Sequence, residues 1–330
     1  MSVAVVTGGS AGVGRAVVRA LASKGWDVGV LARGQAGLDG AVADVERCGR
    51  RALAVETDVA DFGQVERAAA AVETELGPID LWINDAMTTV FAPSWDVSPD
   101  DFKRAVEVTF LGQVWGTQVA LARMRPRNRG SIVNVGSALA FIGIPLQSAY
   151  CASKFASRGY FESVRAELIH QGSAVRLSMV HLPAVNTPQF DWCETTLDKH
   201  PKPVPPTYQP EVAADRIVKI ALNGRRASVL GAWNRILVVA GSLLPGYGNQ
   251  YAALGAWESQ LTDQPLRPDR RSNLRAPVDD TSDHGAKGEF GKTAKGMADP
   301  GFLRSLPTTA ATVVRAAGRT ARDRYQRPRR

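Results

Sequence analysis

The chain reads as an α/β protein built on a doubly wound, seven-stranded, mostly parallel sheet with helices on both faces. Three observations predict this. Short apolar runs alternate with helical patterns at the period of βαβ units. Gly25, Gly49, Gly77-Pro78 and Gly172 fall where those helices should stop. A glycine-rich turn joins the first apolar run to the first helical pattern. In chain order, strands are predicted over 2–7, 27–32, 51–57, 79–84, 130–136, 174–181 and 227–231. Helices are predicted over 13–24, 36–48, 62–76, 99–125, 149–171 and 210–223. In such a Rossmann-like sheet, ligands bind at the carboxyl ends of the strands.

The first junction carries the first functional signal. Val3-Ala4-Val5-Val6 is a strand, Thr7-Gly8-Gly9-Ser10-Ala11-Gly12-Val13-Gly14 a loop, and a helical pattern begins at Arg15. Glycines there let a phosphate approach the backbone, and the helix amino terminus faces its negative charge. The Gly8, Gly12, Gly14 spacing is not the usual dinucleotide fingerprint.

The second signal lies mid-chain. Ser131-Ile132-Val133-Asn134-Val135-Gly136 reads as a buried strand, with Ser137 at its carboxyl end. Tyr150 and Lys154 stand four apart, hence on one face of a helix, one turn apart. A phenol beside an ammonium ionises more easily. Bringing tyrosine from ~10 toward neutrality takes on the order of 3–4 kcal/mol. The set suits moving a proton at an alcohol oxygen while hydride leaves or arrives at its carbon.

Together these residues resemble the short-chain dehydrogenase/reductase family over about residues 1–260. Thr7-Gly8-xxx-Gly12-x-Gly14 matches its cofactor loop, and Ser137, Tyr150 and Lys154 its catalytic residues. Asp58-Val59 falls where the family contacts adenine, and Asn84-Asp85-Ala86-Met87 in place of its Asn-Asn-Ala-Gly segment. Leu182-Pro183-Ala184-Val185-Asn186-Thr187 resembles the stretch that holds the nicotinamide carboxamide. The resemblance implies Tyr150 as general acid/base, with Lys154 lowering its pKa and holding the ribose. Ser137 positions the substrate oxygen, and Thr187 and the main chain of Val185 fix the carboxamide. The cofactor contacts it implies are Thr7, Gly8, Ser10, Gly12, Val13, Gly14, Asp58, Val59, Asn84, Ala86, Tyr150, Lys154, Pro183, Val185 and Thr187. Four positions depart from the pattern: Asp85, Met87, Ala184 in place of a glycine, and Thr109 in place of an asparagine whose carbonyl holds a relay water. Threonine keeps the carbonyl.

Cofactor choice is read at the tip of the second strand, Asp27-Val28-Gly29-Val30-Leu31-Ala32-Arg33. An NAD site wants an acid there to accept the ribose hydroxyls, but Ala32 holds that place and Arg33 follows. A guanidinium suits a 2′-phosphate, so NADP is the expected cofactor, with Arg33 as its contact. The substrate lid is expected over about 188–210, with Phe190, Trp192, His200 and Tyr208. His200 is expected to face solvent. Residues 88–96 read as another pocket wall. The apolar stretches between Trp233 and Trp257, broken at Pro245-Gly246, cover the pocket or a subunit contact, or simply pack on the sheet.

Composition sets the remaining bounds. The chain has 330 residues, 45% of them apolar, and a formal net charge of +8. Cys48, Cys151 and Cys193 give no disulfide framework and no metal spacing, so no metal and a reducing, cytoplasmic setting are expected. The first strand begins at once, and the Ile236–Pro245 run is too short to span a membrane. Residues 1–260 are expected as the catalytic domain and 261–330 as a basic, low-complexity tail. From Pro265 onward 15 Lys/Arg face 7 Asp/Glu, so this segment holds the whole excess charge. Residues 265–300 read as disordered and 308–325 as a possible helix, so ending the chain at 264 should leave fold and turnover intact.

The expected function is an NADP-dependent oxidoreductase acting on a carbonyl/secondary alcohol pair, small to medium and apolar, in a homodimer or homotetramer. The alternative is a non-catalytic NADP-binding sensor or scaffold with a basic interaction tail. A third reading has the tail touching nucleic acid or an anionic membrane; nucleic acid is not firmly implied.

Overall fold

Val3–Thr7 (β1) is buried along its whole length and shows how the layers form. Val3 and Val5 point to one face and Ala4 and Val6 to the other, the period-2 pattern of a strand covered on both sides. The structure is a computed structural model that describes residues 2–243, 252, 253 and 255–296.

The first half runs α1 (Gly12–Ala22), β2 (Asp27–Ala32), α2 (Gln35–Glu46), β3 (Ala52–Glu56), α3 (Phe62–Glu75), β4 (Ile79–Asn84) and a short β5 (Val90–Phe91). Next come α4 (Pro99–Val106), α5 (Gly112–Met124), β6 (Ser131–Ser137), α6 (Ser148–His170) and β7 (Arg176–Leu182). The lid region holds α7 (Gln189–Trp192), β8 (Glu194–Thr195) and β9 (Lys199–Pro201). Then follow α8 (Pro210–Asn223), β10 (Ala227–Val229), α9 (Ala232–Leu243) and β11 (Leu261–Pro265).

Seven strands form one parallel sheet in the order β10-β7-β6-β4-β1-β2-β3. They are the seven expected from the sequence. α1, α2 and α8 cover one face, and α3, α5 and α6 the other. Strand order reverses between β1 and β4, which opens a crevice at their carboxyl ends. Local chemistry fixes the helix ends. Asp61 accepts from the Gln64 N–H, Ser98 from the Asp101 N–H, and Gly224 closes α8 in the left-handed region.

Two expectations change. The predicted helix 99–125 is α4 and α5 joined by a π-helical turn, Glu107–Leu111, with Thr109 inside it. Such turns are frequent at functional sites. The second change concerns the segment after Pro265. Residues 265–296, expected to be disordered, pack on the domain. β11 pairs antiparallel with β9, and Leu274 is 1% exposed among Val90, Ala92, Ala105 and Ala149. Its order comes from single anchoring contacts, which leave no periodic signal in a Pro/Gly/Asp/Lys-rich stretch. The predicted helix 308–325 and the break at Pro245-Gly246 lie outside the described residues. No described helix is long and apolar enough to cross a membrane.

Candidate active site

At the β1–α1 junction Gly8 and Gly12 adopt φ of +69° and +59°, a region that glycine enters without strain. A side chain on Gly8 would meet the Ala86 backbone at 2.8 Å, and one on Gly12 would meet Thr187 at 3.3 Å. The loop is therefore pressed between the ends of β4 and β7. Thr7 Oγ1 accepts from the Asp85 and Ala86 N–H groups (3.1 and 3.3 Å), which fixes the turn after β4.

Ser137 ends β6, and Tyr150 and Lys154 lie on the first turns of α6. The Ser137 and Tyr150 side chains are hydrogen-bonded. Lys154 is 3% exposed, and its Nζ donates to the Val135 carbonyl (2.8 Å), pinning α6 to β6. The ammonium sits 5.5 Å from the centroid of the Tyr150 ring. Burial pushes Lys154 down to about 8, against the attraction of Asp85. Burial pushes Asp85 up to about 7, against Lys154 and the Gly14 N–H. The Tyr150 phenol is also held above its ordinary range by burial, with the Ser137 hydrogen bond pulling the other way. Desolvation of the phenolate outweighs its polar neighbours, so Tyr150 keeps its proton at neutral pH.

A cavity of about 380 Å³ runs along this edge. Its walls include Gly8, Ser10, Gly12, Val13, Arg33, Asp58, Val59 and Ala86 on the β1–β4 side. Ser137, Tyr150, Lys154, Pro183, Val185 and Thr187 line the β6–β7 side. Four nominated residues stand elsewhere. Thr7 and Gly14 shape the loop from behind, and a side chain on Gly14 would overlap the Gly8 carbonyl. Asn84 is fully buried, donating to Thr117 Oγ1 (3.1 Å) and Asn134 Oδ1 (2.8 Å) and accepting from Trp82 Nε1 (2.7 Å). It braces β4 against β6 and α5. Thr109 Oγ1 donates to the Thr88 carbonyl (2.7 Å) and accepts its N–H (3.0 Å), so its hydroxyl is engaged away from the cleft.

Sequence reasoning missed several parts of the site. His181 on β7 is buried behind Ser137, with Nδ1 3.2 Å from the Ser137 carbonyl. Desolvation lowers it to about 4, so the ring is neutral and supports the strand end. The C-terminal segment also lines the cavity, through Asn273, Pro277, Val278 and Asp279. Arg33 donates to the main-chain carbonyls of Asn273 and Arg275. A sequence clue existed in Gly34, Gly37 and Gly40, spaced three apart at the start of α2 and just before it, where the segment approaches.

The other half of the cavity is apolar, with Leu139, Ile142, Phe190, Trp192, Val204, Trp233 and Leu237. The lid expectation over 188–210 and the pocket reading of the Trp233 stretch thus meet in one wall. His200 corrects its expectation: it is 6% exposed, with Nε2 3.4 Å from Asp191 and Nδ1 3.7 Å from Glu289. The hydrogen bond to Asp191 raises its pKa. The three side chains offer ligand atoms within 4.8 Å of one another, yet they read fully as a charge-paired histidine joining lid to C-terminal segment. Cys151, next to Tyr150, is a buried thiol pushed up to about 11 by desolvation, which leaves it unreactive.

Comparison with known proteins identifies the family. Residues 2–196 match the family described as short chain dehydrogenase. An uncharacterised oxidoreductase, YxnA, of Bacillus subtilis is 31% identical over 274 residues, 82% of this chain and 77% of the relative. A 3-dehydrosphinganine reductase of Danio rerio is 32% identical over 235 residues, 69% of this chain and 70% of its own. The crystal structure of a short chain dehydrogenase from Mycobacterium paratuberculosis bound to NAD superposes with a TM-score of 0.60 at 23% identity. That match covers 69% of this chain and 95% of the other, and shows a shared fold. A sheet of this order, with these motifs along its carboxyl edge and a matching profile over most of the domain, makes the chain a member of the short-chain dehydrogenase family.

Proposed function

We propose that the chain is an NADP(H)-dependent oxidoreductase that interconverts an apolar ketone and its secondary alcohol, with Tyr150 as the general acid/base. The observation that carries this is Tyr150, set beside Ser137 and Lys154 where a glycine-loop cleft opens into an apolar chamber. The residues present fit a dinucleotide. Gly8 and Gly12 line the cleft, α1 begins beside it, and Thr187 stands against Gly12. Arg33 at the tip of β2, with no acid at Ala32, supports the 2′-phosphorylated form.

When bound, the reduced nicotinamide supplies hydride to the carbonyl carbon. Ser137 orients the carbonyl oxygen, and Tyr150 delivers its proton there as the alcohol forms. Lys154 holds the ribose and offsets the charge left on the phenol. The chamber walls suit a hydrocarbon-rich substrate. The name of the Danio rerio relative adds long-chain ketones to the candidates. The assembly we favour is a homodimer or homotetramer in a reducing compartment, in keeping with three free cysteines.

The test is a panel of aliphatic, cyclic and long-chain ketones with NADPH and with NADH, following oxidation of the reduced nicotinamide. Turnover of an apolar ketone, faster with NADPH, is expected. Tight dinucleotide binding with no turnover across the panel would replace this function with a cofactor-sensing one.

A further inference from the structure

The segment that reads as a loose tail touches every loop that the sequence nominates for the cofactor. The Gly12 N–H donates to the Gly285 carbonyl (3.0 Å) in the glycine loop. At the tip of β2, Arg33 donates to the carbonyls of Asn273 and Arg275. The first-turn amides of α2, Ala36 and Gly37, donate to the carbonyls of Asp280 (3.3 Å) and Asp279 (3.0 Å). After β3, Asp58 is paired with Arg104 (2.5 Å), whose Nε donates to the Leu274 carbonyl (3.1 Å). After β4, Thr88 donates to Asn273 Oδ1 (3.1 Å). After β7, the Asn186 carbonyl accepts from the Gly288 N–H (3.3 Å).

The segment is also latched from outside the cleft. Arg15, 2% exposed, grips Asp283 through two bonds of 3.0 and 3.1 Å while also bonding Asp44. Residues 273–285 thus touch the loops after β1, β2 and β4 directly and the loop after β3 through Arg104, and four of them, Asn273, Pro277, Val278 and Asp279, line the cavity with Arg33 and Asp58. Arginine has five N–H donors, so Arg33 can hold the segment and a 2′-phosphate at once.

We infer that residues 273–285 form an added wall of the dinucleotide site, one that lifts to admit the adenosine half and closes over it. The inference rests on the dinucleotide reading of the site. It makes cofactor binding and wall closure linked equilibria. A ligand that binds under the closed wall stabilises closure, and anything that opens the wall weakens the ligand by the lost closed fraction.

Two measurements with purified full-length protein test this. The first is limited trypsin digestion with and without NADPH, reading cleavage after Arg267, Arg271, Arg275 and Lys287 by mass spectrometry. NADPH is expected to slow cleavage at these sites several-fold, in proportion to the fall it causes in the open fraction. The second is a fluorescence titration of NADPH into wild type, Asp283→Ala and the isosteric Asp283→Asn, each checked for intact folding by circular dichroism. Asp283 lies outside the cavity walls, and loss of its bonds to Arg15 is expected to weaken NADPH about tenfold and to abolish most of the protection. Cleavage rates indifferent to NADPH, or variants that bind within twofold of wild type, would overturn the wall. A wild type that binds neither NADPH nor NADH would instead overturn the dinucleotide reading on which it rests.

Discussion

Replacing Gly40 by alanine distinguishes a docked C-terminal segment from a free one by the sign of its effect. Gly40 sits inside α2, where alanine normally gains about 1 kcal/mol of helix stability. In this structure a Cβ there would overlap the Asp283 carboxylate, lying 2.7 Å from its Cγ and 2.8 Å from Arg15 Nη2. Asp283 would have to retreat and give up its paired bonds to Arg15. Bonds between charged groups contribute roughly 1.5–3 kcal/mol, toward the low end here because Asp283 is partly exposed. Gly40→Ala should therefore destabilise the full chain by about 0.5–2 kcal/mol, the difference between those two terms. In an Asp283→Ala background the carboxylate overlap is gone and only the contact with Arg15 Nη2 remains, so the same change should be less destabilising than in wild type and should stabilise by at most about 1 kcal/mol. Urea unfolding of the four proteins closes the cycle, with an expected coupling of about 1.5–3 kcal/mol. If Gly40→Ala stabilised wild type as much as the Asp283→Ala variant, the packing described for this segment would be wrong.

Further outcomes follow from the same geometry. Asp85→Asn should shift the alkaline limb of the pH–rate profile below the wild-type value near 8, because Lys154 loses the charge that holds its pKa up. The folded Asp85 pKa lies above its ordinary value, so its burial costs stability increasingly as pH rises to about 7. The asparagine should accordingly raise the melting temperature more at pH 8 than at pH 4. Ala32→Asp with Arg33→Ala should reverse the NADPH preference by roughly 10- to 100-fold in relative kcat/KM, since it removes a phosphate donor and adds a repelling carboxylate. A chain ending at residue 264 should lose dinucleotide affinity in a fluorescence titration, whereas one ending at 296 should keep it.

How far the sequence could be read depends on the kind of signal each part leaves. The sheet was legible because strands covered on both faces are near-continuous apolar runs, as in Ile132-Val133, and helices end at glycines such as Gly172. Ser137, Tyr150 and Lys154 were legible because their spacing is local to one strand end and one helical turn. Asn84 was misplaced because a motif position does not say whether a side chain faces the cleft or braces the sheet behind it. His200 looked solvent-exposed because its two carboxylate partners come from Asp191 and from the distant Glu289. The raised Tyr150 pKa depends on burial depth, which local spacing does not encode. The covering segment was the largest omission. Arg15 and Asp283 are 268 positions apart, and the glycines that receive the segment look like ordinary helix-weakening residues until the partner is seen.

The central claim is that Tyr150 supplies the proton for carbonyl reduction, and one pair of assays addresses it. Wild type and Tyr150→Phe are compared for turnover of the best ketone in the panel and, in parallel, for NADPH affinity by fluorescence. Removing the hydroxyl should lower kcat by about 10²–10⁴-fold, the typical worth of a positioned acid, while NADPH affinity stays within a few-fold of wild type. A phenylalanine variant that turns over within a few-fold of wild type would contradict the assignment.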